Sequence, residues 1–265
     1  MAPSQLIHTA KPCNQWTTND LAAYNITVDH QDVATFFETT TLPEPTIDLS
    51  DVPTTADWSN APDVDTAAIL KLLDLAMVPV SSGQSAVNDF LMDLLRALNY
   101  RRREWILRTK CNFSPLIVCG MEKRAQVDVS LVFVEQNIAL LLIQEVKGDQ
   151  DPHAPLIAKA IAVFTHNRRR MEAIGLPPPL SMVIPGITLK GTTPTFYKIE
   201  VSMELATAVR EGVCPELPTI VYAHVPDVPG PLSEGMRPLG NRRVILSCFE
   251  AFKKFIKYQG SSLHL

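Results

Sequence analysis

The stretch QVDVSLVFVEQNIALLLIQEVK, residues 126–147, decides the fold. It contains two apolar runs of strand length, and no polar residue interrupts the second run, Ile138–Ile143. An unbroken apolar run of this length predicts a strand that is covered on both faces. The two runs are close enough in the sequence to form an antiparallel hairpin.

The turn of this hairpin determines which residues face each other. A two-residue turn at residues 136–137 would pair Glu135 with Ile138 and, further along, Asp128 with Glu145, and a four-residue loop with the same centre gives the same register. We therefore expect the two carboxylates to lie directly opposite each other, with their Cβ atoms about 4.5–5.5 Å apart. One additional residue in the turn would change this pairing, because side chains alternate between the two faces of a strand.

Helices and further strands are predicted on both sides of the hairpin. Apolar residues spaced by three and four from Val87 to Leu98 predict a helix before it, with Ser85 as the N-cap, and residues 152–174 predict a helix after it. Further strands are expected at residues 104–109, 115–120, 180–186, 194–202 and 219–225, and a closing helix at 241–258. This order predicts an α/β layered domain with a mixed sheet.

The N-terminal region differs from this body in composition. Residues 1–80 hold 11 acidic and two basic residues, whereas the rest of the chain carries a net charge of +5. Residues 38–66 are rich in Thr, Pro, Asp and Ser and lack an apolar period, which is typical of a linker. We therefore predict an acidic N-terminal arm and linker at 1–66, which could lie over the basic body, and a domain at 67–265 with its core at about 85–200.

Composition excludes several classes of protein. The five cysteines are scattered and form no CxxC pair, which indicates reduced thiols in an intracellular protein, cytoplasmic or nuclear. No apolar stretch approaches the roughly 20 residues that span a bilayer, and the N-terminus lacks the apolar stretch of a secretory signal, so no membrane partner is expected. GxSxG and HExxH motifs are absent, and nothing indicates a nicotinamide or flavin cofactor.

Asp128, Glu145 and Lys147 carry the predicted chemistry. Two adjacent carboxylates at the end of a buried strand repel each other and are costly without a cation. Hard oxygen ligands of this kind suit Mg²⁺ or Mn²⁺, and the backbone carbonyl of Val146 would add another. The metal would lower the pKa of an attacking water and neutralise a phosphate, while the lysine orients or deprotonates that water. The alternative is an ordinary surface salt bridge, worth about 0–1 kcal/mol.

The pattern D…ExK formed by Asp128, Glu145 and Lys147, on the second and third strands of an α-β-β-β-α-β core, resembles the PD-(D/E)XK nuclease superfamily. The resemblance covers about residues 85–200 and implies a restriction-endonuclease-like core. It also implies metal-dependent phosphodiester hydrolysis of nucleic acid, with DNA favoured over RNA. The whole chain is similar to a group of functionally unassigned fungal proteins as well, through segments such as SMVIPGI and PTFYKI, and that similarity implies no particular substrate.

The chain departs from the superfamily pattern at two points. Val127 precedes the motif aspartate, where proline is usual. Many members also carry a glutamate on the first core helix, where this chain offers only Asp89 and Asp93 as further metal ligands. A catalytically inactive nuclease-fold protein that binds nucleic acid or protein is therefore the second hypothesis for function, since fold does not determine function.

Clusters of basic residues near the core are the candidate contacts to a nucleic-acid backbone. They are Arg101, Arg102, Arg103, Lys123, Arg124, Arg168, Arg169 and Arg170. If these clusters flank the metal site, they would bind phosphates and make the binding strongly salt-dependent. The alternative is a set of solvated helix ends that complement the helix dipole.

Overall fold

The computed structural model describes residues 9–78, 86–148 and 150–257, so Ser85, the predicted helix cap, lies outside the described residues. The helices are α1 (Thr18–Ala23), α2 (Val33–Phe37), α3 (Val64–Ala76), α4 (Val87–Ala97), α5 (Ala154–Ala173), α6 (Met203–Glu211) and α7 (Leu239–Phe252). The strands are β1 (Ile26–His30), β2 (Trp105–Asn112), β3 (Leu116–Val118), β4 (Met121–Lys123), β5 (Gln126–Phe133), β6 (Ile138–Glu145), β7 (Ser181–Lys190), β8 (Thr193–Ser202) and β9 (Thr219–His224). No helix in these ranges is long and apolar enough to cross a membrane.

Seven strands form one mixed sheet in the order β1-β9-β8-β7-β6-β5-β2, and β3 and β4 form a separate hairpin. The pairs β6–β7 and β1–β9 are parallel, and the other pairs are antiparallel. The α/β class with a mixed central sheet is therefore confirmed. Two parallel neighbours need a crossover connection, and α5 provides it between β6 and β7.

Helix α5 packs closely on one face of the sheet. A Cβ atom at Gly186 of β7 would lie 2.9 Å from Leu156 Cδ2, so the helix approaches the strand over a glycine. Towards the other end of the helix, the Asn167 side-chain amide bonds both the N–H and the C=O of Ala139 on β6, each at 2.9 Å. The residues of β6 from Ile138 to Gln144 are all buried, as the unbroken apolar run predicts.

The register between β5 and β6 differs from the predicted one. A turn of four residues, 134–137, joins the strands and pairs Phe133 with Ile138, whereas the sequence predicted Glu135 opposite Ile138. The register shifts again by one residue between Leu131 and Val132, where the ladder is irregular. The predicted register was therefore wrong, because the turn is centred one residue earlier in the chain than assumed and the strand pair contains an irregularity that shifts the register by one residue.

The new register changes the partner of Asp128. The last printed pair at this end is Val129 with Ile143, so continuing the ladder places Asp128 opposite Gln144 and not opposite Glu145. Directly opposed residues share a face, and successive residues alternate. The Asp128 and Glu145 side chains therefore leave their strands on different faces of the sheet.

The N-terminal region contributes to the sheet. Strand β1 is an edge strand that pairs in parallel with β9, and the Phe36 and Phe37 side chains of α2 are fully buried in the core. Residues 39–63 contain turns and one 3₁₀ helix, Trp58–Asn60. The guanidinium of Arg242, 1% exposed, holds this connection by donating to the carbonyls of Val52 and Thr55. Deleting residues 1–65 would remove core side chains such as Phe36 and Phe37 together with the predicted arm. Such a deletion would therefore not show whether the arm covers the basic body.

Candidate functional site

The predicted motif residues meet at the end of the sheet where β5 begins and β6 ends. The Asp128 carboxylate accepts the backbone N–H of Glu145, with Oδ2 3.0 Å from the nitrogen. Both side chains are half-buried. The Asp128 side chain therefore contacts Glu145 at the backbone N–H, and the Oδ1 atom of Asp128 takes no part in this hydrogen bond.

Lys147 follows β6 in a short turn. The N–H of Val146 donates to the Leu189 carbonyl at 2.8 Å and extends the β6–β7 ladder by one residue. Gly148 then adopts a φ of +55°, a left-handed conformation that glycine takes without strain. The chain leaves the sheet at this point, and the Lys147 side chain is exposed. None of the ion pairs among the described residues includes Asp128, Glu145 or Lys147, so the alternative of a surface salt bridge is not observed there.

A cavity of about 780 Å³ opens beside this turn. Glu145, Val146 and Lys147 form one part of its lining, and Lys190 at the end of β7 forms another. Strands β6 and β7 are parallel, so their carboxyl ends meet at the same edge of the sheet, where ligands commonly bind in α/β proteins. The volume falls in the range of about 300–1,000 Å³ that is usual for small-molecule sites.

A chain of hydrogen bonds connects this cavity with the start of α5. Thr188, which lines the cavity, lies 3.2 Å from the Tyr197 hydroxyl, and that hydroxyl lies 2.9 Å from His153 Nδ1. Burial lowers the pKa of His153, and the nearby Asp151 carboxylate acts in the opposite direction. Asp151 also accepts the N–H groups of His153 and Ala154 and so caps the helix. These bonds hold the first turn of α5 against the cavity wall.

Lys159 is a charged residue near the site that the sequence did not indicate. It lies in the second turn of α5 and is 6% exposed. Burial lowers the pKa of its ammonium, and the negative charge of Asp128 opposes this shift. The surrounding sequence, LIAKAIAV, gives the pattern of a buried helix, so only the electrostatic contact with Asp128 reveals Lys159.

The predicted third acidic ligand does not reach the site. Within the ranges that the structure describes, no group of three or more His, Cys, Asp or Glu side chains could hold a metal ion. Asp89 is exposed, and Asp93 forms a 2.6 Å ion pair with Arg96 on the same helix. The apolar face of α4 packs on the core, so both aspartates lie on its outer side.

Two of the basic clusters lie at the other end of the sheet. Arg170 donates to the Gln136 carbonyl in the β5–β6 turn, and Arg168 donates to the carbonyls of Pro178 and Pro179. That turn is separated from Glu145 by the length of β6, about 23 Å at 3.3 Å per residue. Arg169 is exposed beside them. Arg168, Arg169 and Arg170 therefore do not flank Asp128, Glu145 and Lys147, as the predicted phosphate contacts of this cluster would require.

The first arginine cluster has the same location. Trp105, which follows it, pairs with Phe133 next to the β5–β6 turn. Arg102 stacks on the Trp105 ring, with its guanidinium carbon 4.2 Å from the ring centroid, and Arg101 and Arg103 are exposed. A role of these arginines in binding nucleic acid stays a prediction, but one for a surface away from Glu145.

Lys123 and Arg124 lie at the Asp128 end of the sheet. Lys123 is the last residue of β4, and Arg124 donates to the Asn112 side chain at 3.3 Å. Asn112 pairs with Gln126, two residues before Asp128. Of the predicted basic clusters, this pair is the one that the fold brings to the motif.

Comparison of the chain with protein-family models and with curated protein sequences finds no match.

Proposed function

We propose that this protein is a metal-dependent nuclease of the PD-(D/E)XK type that hydrolyses phosphodiester bonds in nucleic acid, with DNA favoured over RNA. The observation that carries the proposal is that Glu145 and Lys147 line a cavity of about 780 Å³ at the end of β6, where the Asp128 carboxylate accepts the Glu145 backbone N–H. Charged groups gathered at the end of a buried strand and beside a cavity are typical of functional sites.

The order of elements supports the same proposal. Helix α4 is followed by the antiparallel strands β2, β5 and β6, then by α5, and then by β7 parallel to β6. This order, with the β3–β4 hairpin inserted after β2, supports the proposal because it agrees with the α-β-β-β-α-β order that the resemblance implies. Asp128 lies on the second of these strands and Glu145 ends the third, and Lys147 follows in the turn after it.

The donor set fits Mg²⁺ or Mn²⁺. Asp128 and Glu145 offer carboxylate oxygens and Val146 a carbonyl oxygen, all of them hard ligands. Because the two carboxylates leave their strands on different faces, one ion would bind both only around the end of the hairpin, where Asp128 reaches the Glu145 N–H. Mg²⁺ usually keeps several waters and binds through one or two carboxylates plus substrate phosphates, so a third protein carboxylate is not essential. When bound, the ion would supply a water of lowered pKa and neutralise charge on the phosphate.

The chain's own residues have distinct roles in this proposal. Asp128 also fixes the Glu145 backbone by accepting its N–H, which orients the end of β6. Lys147, which lines the cavity, would orient the attacking water and stabilise charge that develops on the phosphate. Lys123 and Arg124 would contact the substrate backbone near Asp128.

The proposal predicts that Lys147→Ala abolishes cleavage. Plasmid DNA, single-stranded DNA and single-stranded RNA would each be incubated with the wild type and the variant, in Mg²⁺ or Mn²⁺ and in chelator. Loss of one positioned electrostatic group typically costs about 10²–10³ in rate. Lys71→Ala, which removes an exposed lysine on α3, is the matched control and should cleave like the wild type. Equal cleavage by Lys147→Ala and the wild type would refute the proposal.

The missing third acidic ligand favours one alternative, a nuclease-fold protein that binds nucleic acid or another protein without catalysis. Metal affinity distinguishes the two. An active site should bind Mn²⁺ and lose this binding in Asp128→Ala, whereas a binding protein should be indifferent to both the ion and the substitution.

A further inference from the structure

The lining of the cavity beside Glu145 combines apolar residues with cationic and hydroxyl-bearing residues. Its apolar residues include Val87 at the start of α4, Val78 after α3, and Leu232, which begins a 3₁₀ helix before α7. Val78 is 52% exposed and Leu232 is 47% exposed, so two large apolar side chains of the lining are accessible to solvent. Uncovered apolar side chains at the rim of a cavity are typical of a surface that receives an apolar ligand group.

Other residues of the lining are cationic or carry hydroxyl groups. They include Lys147, Lys190, Thr193 and Thr195. Neither lysine takes part in an ion pair among the described residues. Two ammonium groups with neighbouring hydroxyls suit an anion such as a phosphodiester, and the Glu145 carboxylate is the acidic group among the described residues of the same lining.

The turn that carries Lys190 is rigidly held. Lys190 pairs with Thr193 across the two residues Gly191 and Thr192, and Thr192 is fully buried. The Thr192 hydroxyl accepts the N–H of Met236 at 2.9 Å and lies 3.0 Å from the Met77 sulfur. The backbone beneath Lys190 is therefore fixed before any ligand binds, which lowers the entropic cost of binding.

A lining that combines apolar and cationic residues fits a nucleotide, whose base would lie against the apolar residues and whose phosphate would lie near the lysines. The bases of a duplex are stacked and paired, so a base can enter a side cavity only from a single strand or after unpairing. We infer that the site takes single-stranded nucleic acid, with one unpaired base against Val78 and Leu232 and the adjacent phosphate between Lys147 and Lys190. This inference rests on the proposed function and names its substrate class.

Binding without metal tests the inference separately from catalysis. Fluorescence anisotropy would compare a labelled single-stranded oligonucleotide with the same strand in a blunt duplex, in chelator and over a range of salt concentrations. The wild type should bind the single strand at least about tenfold more tightly than the duplex. Equal affinity for the two forms would overturn the inference.

Two variants locate the binding in the cavity. Lys190→Gln should weaken single-strand binding roughly three- to tenfold and reduce the slope of log K against log salt by about 0.7, the value for one lost contact to a single strand. Leu232→Asp, at a half-exposed position, should weaken it by repelling the phosphate and removing the apolar contact. Lys71→Gln is the control for the charge change. If Lys190→Gln and Leu232→Asp bind like the wild type, the cavity is not the binding site.

The outcomes separate the two hypotheses. Lys147-dependent cleavage with no preference for single strands would refute the inference and leave the proposed nuclease standing. Cavity-dependent binding of single strands with no cleavage in any metal would refute the nuclease and leave the inference standing.

Discussion

Asp128 has two roles in the proposed site, and substitutions can separate them. Its carboxylate accepts the Glu145 N–H at 3.0 Å, and it is also a proposed ligand of the metal ion. Asp128→Asn keeps an oxygen that can accept the hydrogen bond but removes the negative charge. Asp128→Ala removes both functions.

The structural role sets the expected loss of stability. A hydrogen bond to a charged group contributes about 1.5–3 kcal/mol. Because Asp128 is half-buried, we expect the lower end of that range, a loss of about 1.5 kcal/mol in the free energy of unfolding, for Asp128→Ala. Asp128→Asn should lose about half as much, since a neutral acceptor is roughly half as strong as a charged one.

The metal-binding role predicts a different pattern. Mn²⁺ at 100 times its dissociation constant should raise the free energy of unfolding of the wild type by about 2.7 kcal/mol. Neither variant should gain this stabilisation at the same concentration. Asp128→Asn would then be nearly as stable as the wild type in chelator and clearly less stable in Mn²⁺.

Urea unfolding monitored by tryptophan fluorescence measures both effects, with Trp16 and Trp105 as buried reporters. Asp93→Asn is the matched control, because Asp93 forms only an exposed i,i+3 ion pair with Arg96. The control should lose less than about 0.5 kcal/mol and keep the response to Mn²⁺. Mn²⁺ stabilisation that persists in both Asp128 variants would show that Asp128 is not a ligand, and an unchanged stability of Asp128→Ala would refute the structural role.

Two further predictions concern buried cations elsewhere in the fold. Arg242→Met should lower the free energy of unfolding, measured in urea, by about 3–5 kcal/mol, because it leaves the carbonyls that the guanidinium binds without a donor. The control Arg243→Met, which replaces an exposed arginine, should change this free energy by less than about 0.5 kcal/mol. Similar losses in both variants would refute this role of Arg242. Burial lowers the pKa of Lys159 in the folded protein. Between that lowered pKa and the unfolded value of about 10.4, the unfolded chain therefore binds more protons than the folded chain. In this pH range, the free energy of unfolding of the wild type should rise with pH relative to that of Lys159→Met. Parallel pH profiles of the two proteins would show that the Lys159 ammonium is not destabilised by burial.

Local pattern was sufficient to predict most of the core elements. The apolar spacing from Val87 to Leu98 identified α4, and the unbroken run Ile138–Ile143 identified the buried strand β6. Both patterns are properties of short segments, and the helix or strand period appears directly in the sequence. Strand β1 was not predicted, because its five residues, ITVDH, are mostly polar and form an exposed edge.

Contacts between segments decided the remaining features. The β5–β6 register depended on a four-residue turn and a bulge, and a single residue of difference moved Asp128 from Glu145 to Gln144. The sequence placed Asp128 and Glu145 at strand ends and so located the site, but it did not determine how their side chains face each other.

The surroundings of the site were likewise determined by the tertiary structure. The sequence by itself determined the α/β class, the positions of the core helices and strands, and the motif residues Asp128, Glu145 and Lys147. Only the folded chain brought Lys159 and Lys190 to the end of the sheet where Asp128 and Glu145 lie, and it placed Arg168 at the opposite end, near the β5–β6 turn. The physical reason is that periodicity depends on neighbours along the chain, whereas a site is assembled from residues that are distant in sequence and meet only through packing and strand pairing.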